Sequence, residues 1–324
     1  MSSPAIDLKE IEAARERIGP HIVRTPILPL QEGRLWLKCE NRQVTGSFKV
    51  RGGLNKILGL QPSQMARGVL AVSSGNHGQG VALAANLRRV RATVVVPRDV
   101  VKVKAQAIRR LGAEVIVADG DYAFAEAEGR RLAEESGAAW VSPYNDLEVI
   151  AGQATLGLEL VEQAGLQDGG GRGWEVFVPV GGGGLVCGVG LVLRQMAPGA
   201  RVIGVQPEAS PYLHAHFHGE DMAEIVERPT LADGLAGAVE PGSVTFDLLP
   251  GCVDEMVLVS EAAIREAIGW AWKVAGEVIE PSAAAALAAC LGRRGPGRGL
   301  AVLSGGNIDP SLLAAIRGQP RSDG

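Results

Sequence analysis

The stretch Trp174-Glu-Val-Phe-Val-Pro-Val-Gly-Gly-Gly-Gly-Leu-Val-Cys-Gly-Val-Gly190 joins one apolar run to another through four glycines. Val176-Phe-Val178 has no polar alternation, which is typical of a strand buried on both faces of a parallel sheet. Glycines let backbone N–H groups turn inward, and a helix that begins after them adds the positive end of its dipole. The stretch therefore predicts a strand, a phosphate-binding turn and a helix within an α/β fold.

Outside this unit, short apolar runs alternate with helix-length segments, which favours parallel sheets covered by helices. We predict two doubly wound domains with mainly parallel sheets: a large domain of residues 1–66 and 147–324, and a small mobile domain of residues 67–146. The predicted strands are Val69–Ser73, Ala92–Pro97, Glu114–Ala118, Ala138–Ser142, Glu175–Val180, Arg201–Gln206, Met256–Ser260 and Leu300–Ser304. The predicted helices include Val101–Leu111, Tyr122–Glu135, Glu148–Ala164 and Glu261–Ala275. An amphipathic helix is also predicted near the N-terminus, with Asp7 and Glu10 forming a capping box.

Composition and charge narrow the classes of partner. The net charge of −4 and the aromatic content of 4% argue against a nucleic-acid or membrane surface. No run of 18 apolar residues and no apolar signal core is present. None of the four cysteines has a metal-ligand spacing, and reduced thiols in a cytoplasmic protein are the simplest interpretation. We therefore expect a small-molecule partner.

The four glycines do not form a dinucleotide fingerprint. No register of residues 181–190 gives G-x-G-x-x-G, and no P-loop lysine follows. A single phosphate is a better hypothesis than a pyrophosphate. The alternative without a ligand is a tight packing loop between helix and sheet.

Two further turns are predicted at the carboxyl ends of strands, the edge at which open α/β sheets bind ligands. Ser73, Ser74, Asn76 and His77 lie in one turn, where unsatisfied N–H groups suit a carboxylate. Ordinary N-capping explains one of these four residues but not all of them. Ser304 lies in the other turn, Leu303-Ser-Gly-Gly-Asn307, where a simple turn residue is the alternative.

Lys49 stands among apolar residues and glycines in Gln43-Val-Thr-Gly-Ser-Phe-Lys-Val-Arg-Gly-Gly53. A lysine in a partly dry pocket has a lowered pKa and acts as an amine nucleophile or as a base. Together with a phosphate turn and two polar turns, such a lysine matches the needs of pyridoxal 5'-phosphate.

The order of these motifs makes the chain resemble the serine/threonine dehydratase and serine racemase family, which has the tryptophan-synthase-β-like fold (fold type II) and uses pyridoxal phosphate. The matching segments span most of the chain. They are Thr45-Gly-Ser-Phe-Lys-Val-Arg51, Ser73-Ser-Gly-Asn-His-Gly-Gln79, Val149-Ile-Ala-Gly-Gln153, Pro179-Val-Gly-Gly-Gly-Gly-Leu185, Ala232-Asp-Gly234 and Leu303-Ser-Gly-Gly-Asn307.

The resemblance implies the role of each site residue. Lys49 holds the cofactor as a Schiff base and, once freed, removes the Cα proton, while Ser74 is the candidate acid on the opposite face. The implied cofactor-binding residues are Phe48, Lys49, Asn76, Gly181, Gly182, Gly183, Gly184, Leu185, Glu280 and Ser304. The implied substrate-binding residues are Ser73, Ser74, Asn76 and His77. Tyr122 and Tyr144 are candidates for contacting the substrate side chain, with packing as the favoured alternative.

Some family members carry a divalent cation, which prefers carboxylate oxygens. This chain has Gln206 where the first carboxylate would fall and no acidic residue near Tyr212, although Glu208 is close. His214 and His218 share a helix face, but no third ligand is evident. We therefore predict no metal site.

The resemblance implies β-elimination of L-threonine, L-serine or both, giving a 2-oxo acid and ammonia. Three alternatives stay open: an amino-acid racemase that uses Ser74, a dehydratase for 3-hydroxyaspartate or another β-hydroxy amino acid, and a phosphate-ligand-binding module without catalysis. Family members are usually homodimers or homotetramers. Because only about 15 residues follow Asp309, we expect no appended regulatory domain.

Overall fold

The computed structural model describes residues 6–293 and 295–318. Its strands form a six-stranded sheet in the order β1-β2-β10-β7-β8-β9 and a four-stranded sheet in the order β5-β4-β3-β6. Every pairing among these strands is parallel except that of β1 with β2. The strands are β1 (Ile27–Leu30), β2 (Leu35–Lys38), β3 (Val69–Val72), β4 (Ala92–Val96), β5 (Glu114–Val117), β6 (Ala139–Trp140), β7 (Trp174–Pro179), β8 (Arg201–Pro207), β9 (Glu255–Val259) and β10 (Arg298–Val302).

Helices follow most of the parallel strands, as the crossover connections of parallel sheets require. They are α1 (Leu8–Ile18), α2 (Lys49–Leu58), α3 (Pro62–Met65), α4 (Asn76–Arg88), α5 (Lys102–Arg110), α6 (Tyr122–Ser136), α7 (Leu147–Ala164), α8 (Gly184–Met196), α9 (Tyr212–His218), α10 (Val244–Cys252), α11 (Glu261–Trp270), α12 (Pro281–Gly292) and α13 (Pro310–Arg317).

Both sheets are covered by helices on both faces, so the prediction of doubly wound α/β architecture is confirmed. One face of the six-stranded sheet packs on α1, α7, α8 and α10, and the other packs on α11 and α12. The four-stranded sheet lies between α4 with α5 on one face and α6 on the other. The strands of this smaller sheet all fall between residues 69 and 140, inside the predicted small domain. The domain boundaries and the mobility of the small domain stay predictions.

Apart from shifts of one or two residues at the ends of elements, the secondary structure differs from the sequence prediction in three places. The antiparallel pair β1–β2 was not predicted. Its edge strand β1 contains Pro29, and a proline inside a short apolar run argues against a strand except at the edge of a sheet. The predicted strand Ala138–Ser142 shortens to β6. The predicted helix Glu261–Ala275 is α-helical only to Trp270, and a π-helical turn covers Ala271–Ala275. The capping box of Asp7 and Glu10 is present at α1 as predicted.

Glycines bring the four helices α2, α4, α7 and α8 into direct backbone contact around Lys49 and the four-glycine turn. A side chain at Gly80 of α4 would meet the carbonyl of Lys49 at the start of α2. A side chain at Gly152 of α7 would meet the backbone of α2, and one at Gly188 of α8 would meet the backbone of α7. Because these helices pack backbone to backbone, the first turns of α2, α4 and α8 lie near one another.

Candidate active site

Lys49 is the first residue of α2, and its side chain points toward the loop that precedes α7. Its Nζ donates a hydrogen bond to the backbone carbonyl of Pro143 over 3.0 Å and lies 5.2 Å from the ring centroid of Phe48. Burial lowers the pKa of the Lys49 amine to about 8, although the negative charge of Glu280 opposes that change. A useful fraction of this amine is therefore neutral near neutral pH.

The four glycines form the turn between β7 and α8. Gly183 has φ of +89°, a left-handed conformation that favours glycine, and α8 begins at Gly184. A Cβ at Gly181 would lie 3.1 Å from the carbonyl oxygen of Gly234, and a Cβ at Gly182 would overlap the ring of Tyr144. The turn thus requires bare backbone, whose free N–H groups at the helix start suit an anion.

The segment Pro143–Tyr144 connects the lysine to this glycine turn. Pro143 accepts the hydrogen bond from Lys49, and the ring of Tyr144 packs on Gly182. The Tyr144 hydroxyl accepts a hydrogen bond from the backbone N–H of Glu240 over 3.1 Å. The lysine and the glycine turn therefore border one short segment. Of the two tyrosines considered for substrate contact, Tyr144 has the packing contact that the sequence favoured, whereas Tyr122 is 42% exposed on α6.

The Ser73–His77 turn joins β3 to α4 on the small-sheet side of the site. The Ser73 hydroxyl accepts a hydrogen bond from the N–H of Gly75 over 3.0 Å, and Ser74 is half-buried. His77 places Nε2 2.8 Å from the carbonyl oxygen of Val141. Because a carbonyl only accepts, Nε2 carries the hydrogen, and burial together with the charge of Lys49 lowers the pKa of His77 to about 3. The ring is therefore neutral, and its Nδ1 is buried without a partner in the described part of the chain.

Asn76 joins that turn to the large sheet. Its amide nitrogen donates to Glu280 over 2.7 Å, and its amide oxygen accepts from Asn307 over 2.6 Å. Burial raises the pKa of the Glu280 carboxyl to about 7, while the hydrogen bond from Asn76 opposes that shift. Gly305 makes room for this carboxyl, since a Cβ there would overlap it. Ser304, which precedes Gly305 and lies two residues after β10, is buried.

The lysine loop is tied directly to the turn after β10. The backbone N–H of Phe48 donates to the carbonyl oxygen of Ser304 over 3.0 Å, and Ser47 bridges Gly305 in antiparallel fashion. Asn307 also donates to the carbonyl oxygen of Thr45 over 2.9 Å. These bonds hold the segments around Lys49 and Ser304 side by side.

Sequence reasoning missed several contacts that shape this region. Asn307 and Asp233 lie in segments that matched the family motifs, but neither was given a role. Asp233 forms an ion pair with Lys104 of α5 over 2.8 Å. A polar residue directly after a strand was the available signal for Asn307, whereas nothing local identified the carbonyl of Pro143.

The residues considered for a cation have other contacts. The Gln206 side-chain oxygen accepts a hydrogen bond from the backbone N–H of His214 over 2.7 Å. The rings of His214 and His218 lie 4.4 Å apart between centroids. Across the described ranges, no three His, Cys, Asp or Glu side chains come together as metal ligands would.

A buried lysine and a glycine turn that border one segment are typical of a protein that binds a cofactor with an aldehyde and a phosphate group. Comparison with known proteins identifies the family. The family model described as "Pyridoxal-phosphate dependent enzyme" matches residues 18–305. The chain belongs to this family.

Relatives within the family share most of the chain. The L-threonine ammonia-lyase of Thermotoga maritima is 41% identical over 319 residues, which cover 96% of this chain and 78% of the relative. The crystal structure of a "T.th." threonine deaminase has a TM-score of 0.84 at 41% identity and covers 94% of this chain and 99% of that one. Maize serine racemase has a TM-score of 0.86 at 32% identity, with 97% of each chain covered.

The residues present fit pyridoxal phosphate. The glycine turn has no room for side chains and offers free N–H groups to a phosphate. Lys49 supplies an amine of lowered pKa, and the buried hydroxyl of Ser304 suits an uncharged partner for a ring nitrogen. Within residues 6–293 and 295–318, no helix combines the length and apolarity that crossing a membrane needs.

Proposed function

We propose that this chain catalyses the pyridoxal-phosphate-dependent β-elimination of L-threonine, L-serine or both, releasing a 2-oxo acid and ammonia. The observation that carries the proposal is that Lys49 and the glycine turn border the same Pro143–Tyr144 segment. Similarity to the L-threonine ammonia-lyase and the threonine deaminase supports this choice of reaction.

The bound cofactor supplies an electron sink for negative charge at the substrate Cα. Lys49 would hold it covalently, and the Ser304 hydroxyl would serve as the uncharged partner of its ring nitrogen. Asn76, Glu280 and Phe48 would contact its ring. The backbone of Gly181, Gly182, Gly183, Gly184 and Leu185 would bind its phosphate.

When it is not bonded to the cofactor, the Lys49 amine would be the base that takes the Cα proton of the substrate. Burial makes the neutral form accessible, and the carbonyl of Pro143 fixes the direction of the amine. A fixed amine close to Cα contributes through orientation as well as basicity.

The substrate carboxylate binds at the start of α4. Free N–H groups and the helix dipole favour an anion there. His77 is neutral, so it adds no competing cation to Lys49. Its ring N–H is donated to the Val141 carbonyl and its Nδ1 can only accept, so His77 would serve the carboxylate through its backbone N–H at the start of α4. The residues assigned to this carboxylate are Ser73, Ser74, Asn76 and His77.

The region of the small sheet, residues 67–146, closes over the substrate and excludes water. Two ion pairs join this region to the segment between α9 and α10: Lys104 with Asp233 over 2.8 Å, and Arg130 with Glu240. Water exclusion strengthens the interactions that stabilise charge during the reaction.

The test is a 2-oxo acid assay with L-serine, L-threonine, their D-forms and 3-hydroxyaspartate. We expect turnover of the two L-amino acids and a violet-region absorbance, both lost in Lys49→Ala because no amine then holds the cofactor. Lys56→Ala on the same helix is the matched control. A colourless wild-type protein that ignores added pyridoxal phosphate would overturn the proposal.

Racemisation of serine is the second candidate, favoured by the half-buried hydroxyl of Ser74 and by the likeness to maize serine racemase. An acid on the face opposite Lys49 would return the proton with inversion. Measuring D-serine and pyruvate together separates the two reactions. Ser74→Ala should abolish D-serine formation while elimination continues.

The proposal places the protein in the cytoplasm as a homodimer or homotetramer that requires no divalent cation. The cysteines support a reducing compartment, because all four are buried and unbridged: Cys39, Cys187, Cys252 and Cys290. Light scattering of the purified protein measures the assembly, and assays with and without a chelator test the cation.

A further inference from the structure

Two residues after Lys49, the first turn of α2 sends Arg51 into the protein interior. Its Nε and Nη2 each donate to a separate oxygen of Glu40 over 2.8 Å, and its Nη1 donates to Glu159 of α7 over 2.7 Å. The side chains of Arg51 and Glu40 are fully buried, and that of Glu159 is 8% exposed. The guanidinium thus joins α2 to the segment after β2 and to α7.

Lys38 completes this group, which we call the buried charge cluster (Lys38, Glu40, Arg51 and Glu159). Its Nζ donates to Glu159 over 2.6 Å and to the carbonyl oxygen of Thr25 over 2.7 Å. The cluster holds two cations and two anions, so its charges balance. It uses both oxygens of each carboxylate and three separate guanidinium nitrogens, which fixes its members in one arrangement.

A cluster of this kind is a poor source of stability alone, because removing charges from water costs about as much as their attraction returns. What the cluster does supply is a fixed orientation of α2. The planar guanidinium donates its hydrogen bonds only at fixed angles, unlike an ammonium group. An apolar cluster of equal volume would tolerate a rotated helix, whereas this one would not.

The neighbouring residues make α2 depend on that clamp. Gly52 and Gly53 follow Arg51 and let α2 pack closely on α7 and α4, which fixes the distance between the helices, but they have no side chain whose hydrogen bonds would fix the rotation of α2. Val50 and Arg51 are therefore the first side chains after Lys49 that can resist rotation of this turn. A rotation that broke the bonds of Arg51 would also swing the Lys49 amine away from the carbonyl of Pro143.

We propose that Arg51, clamped by Glu40 and Glu159, is the positioning residue for Lys49. It holds the first turn of α2 so that the amine faces the carbonyl of Pro143. Only the turnover part of this inference rests on the proposed function, because the direction and reactivity of the amine can be measured without a substrate.

The test compares three variants with the wild type. Arg51→Met with Glu40→Gln removes one cation and one anion, so the remaining pair of Lys38 and Glu159 stays balanced. Arg51→Lys keeps the charge but not the planar geometry. The control double variant, Arg201→Met with Glu255→Gln, removes an exposed ion pair between β8 and β9.

Each protein is first checked for folding by circular dichroism and thermal unfolding. Pyridoxal phosphate is then added to the cofactor-free protein, and the rate of covalent attachment at Lys49 is read by borohydride reduction and peptide mass spectrometry. We expect attachment about tenfold slower in the first double variant, an intermediate rate in Arg51→Lys and no change in the control. With L-threonine, kcat should fall about tenfold while KM stays within about twofold.

A folded first double variant that attaches the cofactor at the wild-type rate would reduce Arg51 to a structural role and overturn the proposal. If that variant does not fold, Arg51→Lys decides by the same attachment rate. Wild-type protein that attaches the cofactor but deaminates no amino acid would refute the proposed function alone, since the comparison of attachment rates would still stand.

Discussion

The side-chain nitrogen of Lys49 and the backbone carbonyl of Pro143 form a 3.0 Å hydrogen bond across 94 residues of sequence. The residue after Pro143 packs its ring on Gly182, so the amine proposed to be catalytic and the turn proposed to bind phosphate border one short loop. Each end of this arrangement can be changed separately, which makes the site open to direct tests.

We expect even a methyl side chain to disrupt the glycine turn. A Cβ at Gly182 would overlap the ring of Tyr144, so we expect Gly182→Ala to lower pyridoxal phosphate affinity at least about tenfold. Fluorescence titration of the cofactor-free protein measures this. Gly251→Ala is the control, because a Cβ there meets nothing within 4 Å. Equal affinities of the two variants would contradict the assigned turn.

The lowered pKa of Lys49 should set the pH dependence of cofactor attachment. Only a neutral amine adds to an aldehyde, so the attachment rate should rise with pH through a midpoint of about 8. An exposed lysine would show a midpoint near 10.5. Stopped-flow absorbance across this range measures the midpoint, with N-acetyl-lysine amide as the free-amine reference. A midpoint shared with the reference would argue that Lys49 is not desolvated.

We expect the buried Glu280 carboxyl to make the folded protein less stable as pH rises. Burial raises the folded-state pKa to about 7 from an ordinary value of 4.5. The carboxyl therefore contributes its full stability below pH 4.5 and loses it as pH rises through 7, because the folded state binds the proton more tightly. We expect Glu280→Gln to gain roughly 2–3 kcal/mol in unfolding free energy relative to wild type between about pH 5 and 8.

Urea unfolding at several pH values measures this difference. Asn76 can still donate to the new amide oxygen, so the substitution keeps the hydrogen bond. Glu255→Gln, at an exposed carboxyl, is the control. A difference for Glu280→Gln that does not vary with pH would show that the carboxyl is ionised equally in both states.

The ion pair of Lys104 and Asp233 joins the small-sheet region to the rest of the chain. We expect it to favour closure over the substrate, and so substrate binding, only at low salt. Their side chains are 23% and 60% exposed, so the pair contributes about 0.2–1 kcal/mol. We expect Asp233→Asn to raise KM for L-threonine roughly two- to fivefold at low ionic strength, and the effect to vanish near about 0.5 M salt through screening. Asp119→Asn, which removes the exposed pair with Arg98, should leave KM unchanged.

Much of the architecture could be predicted from local pattern. Unbroken apolar runs such as Val176-Phe-Val178 identified the buried parallel strands, because a strand covered on both faces has no polar positions. Pro29 hid the edge strand β1, since proline is compatible with strand structure only where no partner needs its N–H. The end of α11 was also missed, because the π-helical turn at Ala271–Ala275 preserves a helix-like spacing.

The candidate site divides in the same way. Sequence alone determined which segments are candidates for chemistry: Lys49 in an apolar setting, the four glycines, and polar turns at strand ends, because residue type and backbone freedom are local properties. Only the tertiary structure decided that Pro143 accepts the bond from Lys49, that Asn307 supports Asn76, and that Arg51 enters a balanced charge cluster. Those contacts join residues far apart in the chain, and they depend on how closely glycine lets the helices approach, a distance that no local spacing contains.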